Sequence, residues 1–186
     1  MQEAVPQGGA MAAILGLKTE VIERICEETP GMVSIANYNC PGQIVITGEN
    51  GAIQEAVGKL TEAGAKRCVP LKVSGPFHSR MLVGAGEKLA KELAEVTIHE
   101  ICVPYIANVT ADYVTKTEDV KPLLEKQVSS SVRWQQTIER MLADGVDTFI
   151  EIGPGKTLSG FMRKINRDVQ VLNVEKVEDL VKLEQL

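Results

Sequence analysis

The chain lacks any apolar run long enough to cross a bilayer. Its longest, AMAAILGL at residues 10–17, falls far short of the ~20 residues that a spanning helix needs. It also lacks a C-x-x-C pair. Its 4 cysteines, Cys26, Cys40, Cys68 and Cys102, are scattered, which argues against a zinc site or a dithiol redox centre. They read as buried, inert thiols in a reducing, cytoplasmic setting. There is no dense lysine or arginine stripe, and the formal net charge is −5; neither nucleic acid nor a membrane is an expected partner. The opening MQEAVPQGG has neither a basic region nor an apolar core and does not read as a signal peptide. Finally, no G-x-S-x-G nucleophile elbow occurs, the strained turn on which many α/β enzymes mount a catalytic serine.

What is present is a patterned first half. Residues 10–17 read as a strand, and KTEVIERICEE as an amphipathic helix with Val21, Ile22 and Ile25 inward. Thr29-Pro30-Gly31 stops that helix. MVSIANY (32–38) is strand-like, NCPG is a turn signal and QIVITG (43–48) is a second strand. NGAIQEAVGKLTEAGA places Ile53, Val57 and Leu60 on one helical face, with Gly64 at its end. KRCVPLKVS (66–74) closes the series. The order β-α-β-β-α-β is the ferredoxin-like, split βαβ pattern. Its expected core is Ile14, Val21, Ile25, Val33, Ile44, Ile46, Ile53, Val57 and Leu60.

The second half reads differently. A helix follows Ser79, a plausible N-cap, with a stripe of Leu82, Ala85, Leu89, Leu93 and Val96. VPYIANVT reads as a short strand, EDVKPLLEKQV and RWQQTIERMLADG as helices. VDTFIEIGPG has few polar interruptions and reads as a strand buried on both faces. A helix KTLSGFMRKI, a strand VQVLNV and a terminal helix complete the chain. Alternating strand and helix implies a parallel sheet, so the fold class is α/β.

Two motifs bear on chemistry. IGPGKT resembles the end of a phosphate loop, but the position that should hold the first glycine is Ile150. A tight strand-to-helix turn, with Pro154 fixing φ, is the simpler reading. His78, in SGPFHSRML (74–82), lies on a Gly-Pro turn after a strand, where α/β layers place their sites. The other histidine, His99, sits in the polar stretch TIHE. Composition and spacing leave His78 open between a catalytic base and a structural corner, because no nucleophile is evident. Ser79 reads as a helix cap, Ser129-Ser130-Ser131 as a loop, and no cysteine lies in a basic setting.

SGPFHSRML, NYNCPGQIVITGE, QVSSSVRW and FIEIGPGKTLSGFMRKI together resemble the malonyl-CoA:acyl-carrier-protein transacylase family, and more distantly the acyltransferase domains of polyketide synthases. The resemblance runs over essentially the whole chain in the family's order. It implies acyl transfer through a serine in a G-H-S-[LV]-G elbow, activated by a histidine that matches His78. It implies that a backbone carbonyl beside a glutamine, matched by Gln127, orients the imidazole. Phe77 before the histidine matches malonyl-type members. No metal or bound cofactor is implied; malonyl-CoA and a phosphopantetheinyl acyl carrier protein are the implied substrates. For the carrier protein, Lys66, Arg67, Lys72 and Arg80 are weak docking candidates.

The family's elbow segment and its carboxylate-binding arginine find no match here. The expectation is therefore a carboxy-terminal fragment. Residues 1–8 would be a truncated connecting segment, 9–74 the ferredoxin-like small subdomain, and 75–186 an incomplete, α/β-hydrolase-like, parallel-sheet large subdomain. Alone it would be inactive, supplying the histidine but not the serine, with the missing amino-terminal segment as a possible partner. The alternative is a non-catalytic module that binds a carrier protein, or an inert fragment.

Overall fold

The structure is a computed structural model and describes residues 8–73 and 75–185. The expected connecting segment lies outside the described residues except for Gly8, as does Ser74. The chain forms two compact units, divided between Thr137 and Ile138.

In the first unit, β1 (Gly9–Leu15), α1 (Thr19–Glu28), β2 (Val33–Cys40), β3 (Gln43–Glu49), α2 (Asn50–Glu62) and β4 (Arg67–Pro70) follow in order. The strands form one sheet in the order β2-β3-β1-β4, antiparallel at every pairing. Side chains alternate across a strand, so each strand feeds two layers. Ala12, Ile14, Ile35, Ile44 and Ile46 pack with Ile22, Ile25, Ile53, Ala56 and Leu60 of the two helices. Met11, Ala36 and Val45 form a smaller apolar layer, with Ala13, Leu71 and Phe77 partly buried against it. Of the expected core, Val21, Val33 and Val57 lie at its margin, partly buried.

Local signals explain the boundaries. Thr29 is extended (φ −89°, ψ 126°), as a residue before proline prefers, and this ends α1. The Lys59 ammonium, paired with Glu55 at 2.9 Å, also donates to the Glu28 carbonyl at 3.3 Å, covering one of α1's open carbonyls. Gly42 turns the β2–β3 hairpin at φ +73°, a conformation glycine enters without a Cβ penalty.

After β4 the chain makes a 3-10 turn at Arg80–Leu82 and enters α3 (Val83–Ala94). That helix ends before Val96, which is exposed, so the expected apolar stripe is one residue too long. The strand expected near residue 105 is β5 (Tyr105–Ala107), but it pairs antiparallel with β6 (Asp112–Val114). The sequence hid β6, because its three residues include an exposed aspartate and carry no apolar period. A parallel sheet was the expectation here; a connection of four residues permits only a hairpin. A 3-10 turn at Thr117–Asp119 leads into α4 (Val120–Val128), and α5 (Trp134–Ala143) spans the division between units.

The second unit contains β7 (Thr148–Ile152), α6 (Thr157–Ile165), β8 (Gln170–Val174) and a terminal 3-10 helix at Val177–Gln185. β7 and β8 pair in parallel. The expectation that β7 is buried on both faces is not met: Ile150 is 40% exposed and Ile152 81%. Ile150 and Ile152 share one face of the strand, and among the described residues no layer covers that face.

Ile46 is fully buried in the two-helix layer, so Ile46→Ala should lose about 2–5 kcal/mol of stability. Val57→Ala, at the margin of the same core, should lose less. Urea denaturation of the two variants checks the order.

Candidate active site

The residues around His78 are pinned on both sides. Pro76 packs so closely on Gly9, at the start of β1, that a Cβ at position 9 would overlap its ring. Phe77 lies against the Met11, Ala36 and Val45 layer of the sheet. Ser79 is buried; its hydroxyl donates to the Pro76 carbonyl at 2.7 Å and accepts from the Met81 N–H at 3.3 Å. It therefore caps the turn that begins α3. Between these anchors His78 is half-buried and held at φ +57°. Non-glycine residues rarely adopt this left-handed region, and strain of this kind persists where the surroundings impose it, often at functional sites.

The structure brings His78 and Gln127 together. The His78 Nδ1 lies 3.1 Å from the Gln127 carbonyl oxygen. Gln127 is in the last turn of α4, where carbonyls have no i+4 donor within the helix and the helix dipole concentrates partial negative charge. A carbonyl accepts and cannot donate, so this bond requires a proton on Nδ1. That tautomer leaves a lone pair on Nε2, the nitrogen free to take up a proton. The Gln127 side chain turns elsewhere: its Nε2 donates to the Ser130 carbonyl at 3.0 Å and reaches that of Ser131 at 3.5 Å. Its Oε1 is buried and has no partner among the described residues.

The other sequence candidates are placed away from such chemistry. Ser79 is committed to its cap, and the Ser131 hydroxyl donates to the Ile35 carbonyl at 2.6 Å. His99 is exposed in an irregular segment. Cys26 and Cys40 are buried, Cys68 is half-buried and Cys102 exposed, so the expectation of four buried thiols holds for two. Cys68, on the short edge strand β4, is only partly covered by the margin of the two-helix core, and Cys102 lies on an irregular, exposed segment. Burial, then the charges of Glu23 and Glu27, push the Cys26 thiol up to about 12, which keeps it protonated and unreactive. The Tyr38 phenol is likewise raised to about 12 by burial and by its hydrogen bond to Glu23. Among the described residues, no three His, Cys, Asp or Glu side chains are grouped to hold a metal ion.

The IGPGKT turn is occupied by its own strand. The Glu151 carboxylate accepts from the N–H groups of Leu158 at 3.0 Å and Ser159 at 2.8 Å, and from the Ser159 hydroxyl. It fills the helix N-terminus that a phosphate would need. Asn173 braces the turn by donating to the Gly155 carbonyl at 2.8 Å. Spacing alone does not reveal this, because Glu151 caps a helix whose first residue lies six positions later.

Sequence reasoning missed the contacts that hold the Gln127 loop. Val132 forms a parallel bridge with Asn37, its N–H donating to the Ala36 carbonyl at 2.8 Å and its carbonyl accepting from Tyr38 at 2.9 Å. The loop thus adds to the outer edge of β2. No local signal marks such a pairing across about a hundred residues of chain.

A half-buried histidine with its Nδ1 on a backbone carbonyl is an arrangement able to accept a proton at Nε2. The family model for the acyl transferase domain matches residues 1–182, and the chain belongs to that family. A malonyl CoA-acyl carrier protein transacylase of Bacillus subtilis is 46% identical over 184 residues, covering 97% of this chain and 58% of the relative. The crystal structure of MCAT from Streptococcus pneumoniae is 46% identical with a TM-score of 0.94, covering 100% of this chain and 62% of that one. A complex of a type II PKS acyl-carrier protein with its malonyl-transacylase gives 38% identity and a TM-score of 0.95, covering 100% of this chain and 61% of that one. The chain thus spans about three-fifths of the length of the relatives it matches.

Two outcomes follow from this geometry. Glycine relieves a left-handed residue of roughly 1–2 kcal/mol, so His78→Gly should be more stable than His78→Ala by about 1 kcal/mol in thermal or urea unfolding. The second concerns Glu151. Partial burial pushes its carboxyl upward, but the hydrogen bonds from Ser159 and Leu158 outweigh this and hold its pKa below the ordinary range. A depressed folded pKa gives stability that is present above the unfolded pKa of about 4.3 and is lost as pH falls through the folded value. Glu151→Gln should therefore be less stable than wild type at pH 7, and the gap should close on acidification below about pH 4.

Proposed function

We propose that this chain is the histidine-bearing part of an acyl-carrier-protein S-malonyltransferase of fatty-acid biosynthesis, with His78 as general base and Gln127 as the residue that positions it. The 3.1 Å contact between the His78 Nδ1 and the Gln127 carbonyl carries this reading. It supplies the tautomer that a base acting through Nε2 requires, and it does so without an aspartate.

The reaction is a double displacement. The Nε2 lone pair takes the proton from a serine hydroxyl as its oxygen attacks the malonyl thioester. The C–S bond breaks, and the proton passes to the departing coenzyme A thiolate. The phosphopantetheine thiol of an acyl carrier protein then gives its proton to Nε2 and attacks the serine ester. The C–O bond breaks and the proton returns to the serine. The charge that forms on the imidazole lies beside the negative end of α4. No metal and no redox cofactor take part. The serine is not Ser79, whose hydroxyl is spent on its cap. It belongs to a G-H-S-[LV]-G elbow in the part of the family's length that this chain does not span.

The finer architecture follows the same reading. Residues 9–74 constitute a ferredoxin-like small subdomain, supported by the antiparallel order β2-β3-β1-β4. Residues 75–186 constitute part of an α/β-hydrolase-like large subdomain. The exposed Ile150 and Ile152 on β7 support that reading, because parallel strands normally lie between layers. An open strand edge with apolar faces favours association, so the chain by itself should be self-associated in sedimentation or light scattering.

Mixed with malonyl-CoA, the chain alone should keep its unmodified intact mass. Joined to the elbow-bearing segment, covalently or in trans, it should transfer malonyl to a carrier protein. His78→Ala should then lose roughly 10²–10⁴-fold in rate, and His99→Ala should be near neutral. A folded His78→Ala protein with normal turnover would sink the assignment.

A further inference from the structure

We infer that Ser131 is a positioning residue for His78, acting through the loop that follows Gln127. The inference rests on the reading of His78 as the base. Three links carry it. The Ser131 hydroxyl donates to the Ile35 carbonyl on β2 at 2.6 Å. The carbonyls of Ser130 and Ser131 accept from the Gln127 side-chain amide at 3.0 and 3.5 Å. The Gln127 main-chain carbonyl meets His78 Nδ1 at 3.1 Å. A series of short polar contacts therefore runs from the edge of the small sheet to the imidazole.

The edge of β2 is shaped for this. Its pairing with β3 shifts register between Ile35 and Asn37, so Ala36 is an extra residue in the strand, a bulge. Bulges re-aim backbone groups and are common beside sites. At this bulge the Ala36 carbonyl accepts from the Val132 N–H, next to the Ile35 carbonyl that Ser131 holds. Beyond Val132 the loop is fixed again. The Arg133 N–H donates to the Asn108 carbonyl at 2.9 Å, and the Arg133 guanidinium lies 5.6 Å over the Tyr38 ring. Between the end of α4 and Val132, the Ser131 hydroxyl is the one side-chain bond from the loop to the sheet among the bonds described. Without it, the segment from Ser129 to Ser131 is tied to the sheet only at Val132. The Gln127 amide then has movable acceptors, and the last turn of α4 loses its brace.

The test uses the ¹⁵N-labelled chain and the assembled transferase in parallel. Imidazole ¹⁵N shifts separate the Nδ1–H from the Nε2–H tautomer without turnover, and exposed His99 serves as the internal reference. His78 should be Nδ1–H in the wild type and should gain Nε2–H in Ser131→Ala. Ser131→Thr, which keeps the hydroxyl, should restore the wild-type tautomer. In the transferase, Ser131→Ala should lower kcat by up to about tenfold, the worth of one hydrogen bond, with KM for malonyl-CoA little changed and with rescue by threonine. An unchanged His78 tautomer in Ser131→Ala would overturn the inference. So would a Ser131→Ala chain that fails to fold beside a folded Ser131→Thr, since the bond would then serve the fold rather than the base. A tautomer shift in Ser131→Ala combined with normal turnover in His78→Ala would leave the contacts standing and remove the base reading instead.

Discussion

The proposed chemistry of this chain depends on one hydrogen bond, the His78 Nδ1 against the Gln127 carbonyl. It fixes which nitrogen carries the proton, and hence which can accept one. The acceptor is a main-chain carbonyl at a helix end, a group that every helix leaves without an internal donor. A backbone acceptor cannot be protonated away in the working range, and it does not place a full negative charge beside the imidazole. What it demands is accurate placement of two helices. The capped 3-10 turn that leads into α3 follows the histidine, and the last turn of α4 carries the carbonyl.

The split sheet serves that placement from both faces and from its edge. One face builds the core with α1 and α2. The other receives Phe77, the residue before the histidine. Gly9 admits the Pro76 ring by having no Cβ, and the bulged edge of β2 takes the loop after Gln127. The strain at His78, held in a left-handed conformation, is sustained by these neighbours rather than by any preference of its own. A locally unfavourable residue maintained by its surroundings is typical of a place where function and stability have different requirements.

Elements whose cues are local were legible in the sequence. Apolar periods of 3.6 and 2 located α1, α2 and the first three strands to within a residue or two, because their burial follows from their own pattern. The Pro-Gly turn and the Thr-Pro stop were equally readable. Elements that depend on partners were not. β6 has no period to detect. β7 reads as a doubly buried strand, yet Ile152 faces solvent, because hydrophobicity states what a strand would bury and not whether a neighbour is present. His78 could be singled out as the histidine at a strand-to-helix corner, but composition left it undecided between base and corner. The family pattern, not spacing, pointed to Gln127.

The sequence by itself determined the order of strands and helices from β1 to β4, the apolar faces those elements bury and the residue types a proton-transfer site could use. These are properties of segments a few residues long, and periodicity and turn chemistry suffice to read them. The family resemblance implied a backbone carbonyl on the imidazole; only the tertiary structure decided that it is that of Gln127 itself, that Glu151 fills the helix end a phosphate would need, and that Ser131 ties its loop to β2. Each of these joins groups that the chain brings together by folding. A main-chain carbonyl is present at every position in any sequence, and nothing but the fold selects which one meets the imidazole.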